Sequence, residues 1–288
     1  MKALASLPDA PQESRPCLYA CENDHTMVET LAKLLAEKVV VVNCMVDRIC
    51  TERSIEPDWV GVGTEPHAGE LVVMNDPRNG VLPPFVGKNV QVPSLPAQAE
   101  YFCQRKIIMV NGMHTTLAFM TLCKNIPEPA GLLDNSWKDF SLITHQVATE
   151  EERRLIHVWT TARCLFILWE FDVQLIMAAH GVETEDEAVD ILLAYAKTTI
   201  KRFDTVKDKA GRVLGGGVAK RYDGRLKMIM DWLDGEPPMR RGIRRRLIDR
   251  AGVSEAELRS KVKDMVSSAK RFGGVVVRKA SKAKIVVT

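Results

Sequence analysis

Three polar side chains, Lys106, Asn111 and His114, occur in the otherwise apolar stretch KIIMVNGMHTTLAFM. The apolar residues of this stretch predict a buried helix. Each residue of an α-helix advances by about 100°, so Asn111 falls at about 140° and His114 at about 80° from Lys106. The three polar side chains are therefore expected on one side of the helix.

An amine, a carboxamide and an imidazole on one side of a buried helix can move a proton on or off an alcohol. Burial disfavours the charged form of a lysine and suits it to act as a base. The amide of Asn111 can donate to a developing alkoxide, and His114 can hold the same oxygen. The alternative is that Lys106 extends its amine to solvent from the first turn and that His114 is a core histidine with satisfied hydrogen bonds. The residues alone leave both interpretations open.

The elements that precede this helix predict a βαβ unit. CLYACEND is a short apolar run that ends in polar residues, HTMVETLAKLLAEK has helical spacing, and VVVVNCMV is a β-branched run typical of a buried strand. Strand, helix and strand in this order predict a parallel sheet, and ligands bind at the carboxyl edge of such sheets. Further short strands are expected between Trp59 and Val92.

The rest of the chain is predicted to be helical. The expected helices are Glu150–Gly181, Glu185–Arg202, Arg225–Leu233 and Ser254–Arg271, the last with Ser254 as N-cap and Glu257 at the capping-box position. The final GVVVRKASKAKIVVT is expected to pair as a strand or to fray. The predicted fold class is α/β followed by all-α. A partial, Rossmann-like parallel sheet is expected in residues 1–96, and a larger C-terminal helical domain in residues 97–288.

The composition favours a soluble protein of the cytoplasm. The hydrophobic share is 46% and the charged share 27%, and no apolar run is long enough to cross a membrane. The seven cysteines lack the spacing of a metal site, so we expect free thiols in a reducing compartment and no metal.

The charge is unevenly distributed along the chain. Residues 239–288 carry 15 Lys and Arg against 4 Asp and Glu, a net charge of +11; since the whole chain has +3, the rest carries −8. One interpretation of this basic segment is contact with nucleic acid or an acidic partner. The other, which we favour because no aromatic residues are interleaved, is a solvated helical face.

Five sequence blocks, in order, resemble the polyol-specific long-chain dehydrogenases, the family of mannitol dehydrogenase and mannitol-1-phosphate 5-dehydrogenase. The signature is Lys106-x4-Asn111-x2-His114, and the resemblance extends from about Leu18 to Leu233. The other blocks are ACEN at Ala20–Asn23, NCMVDRI at Asn43–Ile49, TEPHAGELVV at Thr64–Val73, and KRFDTVKDKAGRV with VAKRYDGRL between Lys201 and Leu226.

The resemblance implies a metal-independent oxidoreductase that exchanges hydride between NAD(H) and a secondary alcohol of a sugar alcohol or its phosphate. Mannitol 1-phosphate and fructose 6-phosphate are the favoured pair. Lys106 would be the general base, and His114 would bind the substrate oxygen. The remaining implied roles are oxyanion stabilisation by Asn23 and Asn111, substrate binding by Asp47, Arg48, Arg212, Lys220 and Arg221, and cofactor binding by Asn23 and Asn43. The basic residues flank Gly215–Gly217, whose backbone amides could turn toward a phosphate.

The sequence departs from the family in its cofactor half. No G-x-G-x-x-G follows a strand, and Gly61-Val-Gly63-Thr-Glu-Pro66 ends in proline where the motif needs glycine. The chain is therefore expected to lack the N-terminal part of the Rossmann domain, and the choice between NAD and NADP stays open. An open sheet edge would then favour a protein partner or self-association. The alternative function is a catalytically impaired homologue that acts as a binding module through its basic C-terminus.

Overall fold

A computed structural model describes residues 2–22, 25–75, 83–132, 135–235 and 241–285. The chain forms two compact units, Met1–Gln104 and Arg105–Thr288. The first contains the strands and the second is helical, so the coarse prediction of an α/β part followed by a helical part agrees with the structure.

The first unit is built from short elements around a four-stranded sheet. Its helices and strands are α1 (Lys2–Ala5), β1 (Cys17–Cys21), α2 (His25–Leu34), β2 (Val40–Asp47), β3 (Cys50–Ile55), β4 (Val60–Thr64), β5 (Glu70–Val73) and β6 (Val90–Gln91). Val42, Cys44 and Val73 form its buried centre, against which Tyr19 and Phe85 pack edge to face with ring centroids 4.9 Å apart. Alternate residues of β2 thus face this core, as its β-branched sequence predicts.

The sheet is mixed, so the prediction of a parallel sheet is wrong in part. The strand order is β1-β2-β5-β6, in which β1 and β2 are parallel, as the predicted βαβ unit requires. However, β2 and β5 are antiparallel. A parallel neighbour needs a long crossover, usually a helix. Here an antiparallel hairpin of β3 and β4 occupies the chain between them instead, so β5 returns beside β2 in the opposite direction.

Strand β3 was not predicted, because its sequence CTERSI lacks an apolar alternation. It pairs with β4 in a two-stranded sheet, with Ile55 opposite Val60. The connection from this hairpin into β5 depends on Gly69, whose φ of 69° lies in the left-handed region.

The second unit consists of helices, two of them interrupted by segments of π-helix. Helix α3 (Pro96–Lys106) crosses from the first unit into the second. The following helices are α4 (Gly112–Asn125), α5 (Glu150–Glu170), α6 (Val173–His180), α7 (Glu185–Asp204), α8 (Ala210–Leu214), α9 (Val218–Arg221), α10 (Met228–Gly235), α11 (Arg241–Ala251) and α12 (Glu255–Ile285). We call Ile107–Asn111, between α3 and α4, the first π segment, and Tyr222–Lys227, between α9 and α10, the second π segment.

Capping interactions set the beginnings of the long helices. Thr149 and Glu152 form a complete capping box at α5, and Thr184 and Glu187 form another at α7. At α12 the amide of Glu257 donates to Oγ of Ser254 at 3.2 Å, so the predicted N-cap is confirmed.

Two helix predictions need correction. The predicted single helix Glu150–Gly181 is two helices, because Asp172 begins α6 by accepting a hydrogen bond from the amide of Gln174. The C-terminal GVVVRKASKAKIVVT, predicted as a strand or frayed end, continues α12 as far as Ile285, and its last three residues lie outside the described residues.

The core of the second unit is rich in aromatic side chains and also contains arginine. Trp159, Phe119, Phe203 and Phe272 are each at most 1% exposed, as is Arg163. Within the described part of the chain, no helix combines the length and apolar character that crossing a membrane requires.

Candidate active site

The predicted signature residues lie on one nearly continuous helix that is interrupted between them. Lys106 ends α3, Asn111 ends the first π segment, and His114 lies in the first turn of α4. Lys106 is 5% exposed and His114 is 8% exposed, whereas Asn111 is half-buried. The half of the alternative in which Lys106 extends into solvent is therefore wrong, whereas its other half, a buried histidine with a satisfied hydrogen bond, agrees with the contact of His114 with Asp208.

The first π segment changes the angular arrangement that an ideal helix predicts. The amide of Gly112 donates to the carbonyl of Ile107, five residues back. A π-turn holds more residues than an α-turn, so each residue advances by less than about 100°. Asn111 and His114 are thus rotated back toward the side of Lys106. Such single π-turns occur often at functional sites.

Arg163 of α5 supports both π segments from the core. Its Nη1 donates to the carbonyl of Ile108 at 3.1 Å, and this carbonyl has lost its α-helical donor, Gly112, to Ile107. Its Nη2 donates to the Gly112 carbonyl at 3.1 Å, to Oγ1 of Thr116 at 3.0 Å and to the Arg225 carbonyl of the second π segment at 2.9 Å. Arg163 therefore connects two helical irregularities that are distant in sequence.

Gly112 leaves the space that Arg163 occupies. A Cβ atom built on Gly112 would overlap the Arg163 guanidinium, with Cζ only 2.6 Å away. Burial, and then the charge of Arg225, lower the pKa of Arg163 to about 9, so the side chain stays charged at neutral pH. The sequence signal for this role is a single arginine within the apolar run TTARCLFILW.

His114 is held by a carboxylate and by an aromatic ring. Its Nε2 lies 2.8 Å from Oδ2 of Asp208, and its ring stacks on Phe203 with centroids 4.6 Å apart and planes inclined by 23°. A carboxylate oxygen can only accept, so Nε2 carries the hydrogen and Nδ1 is the nitrogen that can face another group. The imidazole is thereby fixed in position and orientation.

Asp208 in turn is fixed by its own neighbours. Nε of Arg212 donates to its Oδ1 at 2.5 Å and Nη2 donates to its Oδ2. Its backbone carbonyl accepts from the amide of Leu142 at 3.0 Å, and its Oδ1 accepts from the amide of Lys209 at 2.8 Å.

The environment of Asp208 keeps this carboxylate ionised. Burial acts to raise its pKa, but hydrogen bonds from Arg212 and His114 outweigh that effect and hold the pKa well below its ordinary value. Asp208 was not predicted as a site residue, although its spacing of four from Arg212 is that of an ion pair on one helical turn.

The predicted phosphate-binding residues lie around a glycine turn. Gly217, with a φ of 114°, precedes α9, on which Lys220 is exposed and Arg221 half-buried. A Cβ atom on Gly216 would lie 3.7 Å from Nη2 of Arg221, so this guanidinium is close to the turn. Arg212, by contrast, is turned to Asp208.

The remaining predicted residues belong to the first unit. Asn23 lies outside the described residues. Asn43 and Asp47 lie on the same face of β2, and Asp47 is 1% exposed. The backbone N–H of Asn43 donates to Oδ1 of Asn75 at 2.7 Å. Arg48 is exposed and donates to the carbonyl of Glu65 at 3.2 Å.

The described residues do not supply a pyrophosphate-binding turn for a dinucleotide. Gly61 and Gly63 lie within β4 of the hairpin, where no helix follows. The turn at Gly215–Gly217 precedes α9, which has only four residues before the second π segment. Among the described positions, Asn43 is therefore the one predicted cofactor contact.

Several arginines of residues 239–288 form ion pairs or hydrogen bonds within the second unit. Arg246 pairs with Glu185 and Asp186, and Arg250 pairs with Asp186 at 3.0 Å and Asp190 at 2.7 Å. These acids lie at the beginning of α7, where negative charge is favourable. Further contacts are those of Arg244 with Glu255, Arg245 with Asp249, and Arg271 with the carbonyl oxygens of Cys123, Ile126 and Pro127.

Comparison of the chain with models of known protein families gave no match, and neither did a search among curated proteins. The resemblance to polyol dehydrogenases therefore rests on the sequence blocks.

Proposed function

We propose that the protein is an oxidoreductase of the mannitol-1-phosphate or mannitol dehydrogenase type. It would transfer hydride between NAD(H) and a secondary alcohol of a sugar alcohol or its phosphate. The observation that carries this proposal is the burial of Lys106 on the same helix as His114, whose imidazole is oriented by Asp208.

The arrangement suits proton transfer at an alcohol. Lys106 would accept the hydroxyl proton, and the Asn111 amide would donate to the oxygen as it becomes negative. His114 would contact the same oxygen through Nδ1, because Nε2 is directed to Asp208. The nicotinamide would supply the hydride chemistry when bound.

The residues around the glycine turn support a phosphorylated substrate. Arg221 lies beside Gly216, and Lys220 is exposed on the same short helix. Two cations and the amides of a flexible turn form a surface that suits a phosphate. For this reason fructose 6-phosphate is a better candidate substrate than fructose.

The alternative proposal is a binding module that acts through residues 239–288. The ion pairs of Arg246 and Arg250 with the beginning of α7 favour the enzyme, because paired arginines offer less charge to a phosphate backbone. A steeply salt-dependent shift of DNA or RNA by the full chain would instead support the binding module. A protein partner at β1, an edge strand of the described sheet, is compatible with either function.

The test is oxidation of NADH by the full chain with fructose 6-phosphate or fructose, followed by the absorbance of the reduced cofactor. We expect turnover, and we expect Lys106→Ala to lower kcat at least about a hundredfold, since a general base contributes that much. Lys124→Ala is the matched control, because Lys124 lies on α4 with a half-exposed side chain paired to Glu152.

Three results would contradict the proposal of a dehydrogenase with Lys106 as its general base. One is the absence of NADH oxidation with either ketose by a folded preparation. Another is activity that survives Lys106→Ala while Lys124→Ala behaves identically. A loss of activity in both variants together with unchanged circular dichroism would likewise contradict a specific role for Lys106.

A further inference from the structure

A cavity in the helical unit is lined by residues other than those of the proposed active site. It has a volume of about 520 Å³ and is bounded by α5, α7 and the end of α11. Ligand pockets of proteins typically measure about 300–1,000 Å³. The cavity is therefore large enough for a small organic molecule.

The inner wall of the cavity is apolar. Ile156 of α5 and Leu193, Ala196 and Ile200 of α7 line it. Ile156 is 1% exposed and Ala196 is 4% exposed, so this wall continues the core, whereas Leu193 and Ile200 are partly open. Such a wall stabilises a hydrocarbon or aromatic body and offers little to a sugar, whose hydroxyl groups need hydrogen-bond partners.

The α5 side of the cavity is polar but already hydrogen-bonded to the backbone. Nε2 of His157 lies 2.7 Å from the carbonyl of Ala251 and so donates to it. The hydroxyls of Thr160 and Thr161 donate to the carbonyl of His157 at 2.8 and 2.9 Å. Because these donors are already hydrogen-bonded within the protein, a bound molecule does not need to supply hydrogen-bond acceptors for them.

The rim of the cavity is positively charged. Lys197 and Lys201 lie four residues apart on α7, one turn from each other, and both are exposed. Arg250 also lines the cavity but is paired with Asp186 and Asp190. Asp204 is the acid among the described lining residues, and its Oδ1 accepts from the amide of Gln146 at 2.8 Å.

We propose that this cavity binds a small amphipathic carboxylate. Its apolar body would lie against Ile156, Leu193 and Ile200, and its carboxylate would lie at the rim between Lys197 and Lys201. An amine of the same shape would meet two like charges, and a sugar phosphate would place hydroxyl groups on the apolar wall. The proposal does not depend on the proposed oxidoreductase function, because the lining residues are distinct from Lys106, Asn111 and His114.

The experiment is a titration of the full chain with octanoate below its micellar concentration, followed by calorimetry and by the methyl resonances of isoleucine and leucine. We expect saturable binding with shifts at Ile156, Leu193 and Ile200. Octanol is expected to bind at least about tenfold more weakly, and octylammonium and acetate are expected not to saturate.

Charge reversals test the rim and a larger side chain tests the wall. We expect Lys197→Glu and Lys201→Glu each to weaken octanoate binding about tenfold, while Lys207→Glu, an exposed lysine beyond the end of α7, leaves it unchanged. Leu193→Trp, at a partly open position, should fill the cavity and abolish binding.

Absence of saturable octanoate binding would overturn the proposal, as would equal affinity for octylammonium. Octanoate affinity that is unchanged in both Lys197→Glu and Lys201→Glu would also overturn it. Because none of these variants touches the residues assigned to proton transfer, failure of this proposal leaves the test with NADH and fructose 6-phosphate unaffected.

Discussion

Nε2 of His114 lies 2.8 Å from Oδ2 of Asp208, and this contact joins the helix that carries Lys106 to the loop between α7 and α8. Arg212 donates to both oxygens of the same carboxylate. The position of the imidazole is therefore determined by a chain of three charged or polar groups rather than by the helix alone.

Replacing Asp208 by Asn should lower the free energy of unfolding by about 1–3 kcal/mol, because buried hydrogen bonds of a charged group are lost. The pKa of Asp208 lies below its ordinary value, so its contribution is present above pH 3.8 and is lost as the pH falls below that value. The wild type and Asp208→Asn should therefore differ less in their free energies of unfolding, measured with denaturant, at acidic pH.

The same variant should release the imidazole of His114. Nitrogen-15 spectra of the wild type should report hydrogen on Nε2, and Asp208→Asn should give a mixture of tautomers. Asp234→Asn, at an exposed position, is the control. An unchanged spectrum and unchanged stability in Asp208→Asn would refute the orienting role.

Gly112→Ala should destabilise the protein, although alanine favours helices by about 1 kcal/mol over glycine. The new methyl group would overlap the guanidinium of Arg163. Gly242→Ala in α11, where no atom lies within 4 Å of the added carbon, should instead be neutral or slightly stabilising. Thermal unfolding of both variants tests this prediction, and equal changes in Tm would contradict the steric explanation.

Arg163→Lys should cost about 3 kcal/mol or more, because a single ammonium cannot reach oxygens in both π segments. Arg245→Lys, whose side chain is 84% exposed on α11, should change stability by no more than about 0.5 kcal/mol. Equilibrium unfolding in urea measures both. A change of no more than about 0.5 kcal/mol in the free energy of unfolding of Arg163→Lys would mean that the π segments are stable without the guanidinium.

His180 should make stability depend on pH in mild acid. Nη1 of Arg105 lies 3.2 Å from Nε2 of His180, and because a guanidinium can only donate, Nε2 accepts. Burial, and then the charge of Arg105, lower the pKa of His180 from 6.5 to about 4. The unfolded chain takes up the proton first, so stability should fall as the pH decreases from about 6.5 to about 4. His180→Gln keeps an acceptor and should reduce this pH dependence. Parallel pH profiles for the wild type and His180→Gln would contradict the assignment.

Local signals predicted much of the fold. The pair Ser254 and Glu257 predicted the beginning of α12, and the run VVVVNCMV predicted β2, since caps and strand patterns involve neighbouring residues. The antiparallel return of β5 could not be predicted in the same way. It depends on the hairpin of β3 and β4, and β3 has no apolar pattern.

Within the second unit, the buried residues of the candidate site that were predicted lie in a single stretch of sequence, KIIMVNGMHTTLAFM. Lys106 and His114 were identified and both are buried, but Asp208 and Arg163 were missed. Asp208 meets His114 only through tertiary structure. Arg163 likewise meets the first π segment only through tertiary structure, because its contact with Ile108 joins residues 55 positions apart.

A peptide excised from residues 96–125 would carry Lys106, Asn111 and His114 and still differ from the protein. Without α5 beside it, nothing would replace the hydrogen bond that the Ile108 carbonyl gives up, and the segment should relax to an ordinary α-helix. Asn111 and His114 would then rotate away from Lys106, so the alignment of these groups is a property of the assembled helical unit that transplanting the motif into another scaffold would not transfer.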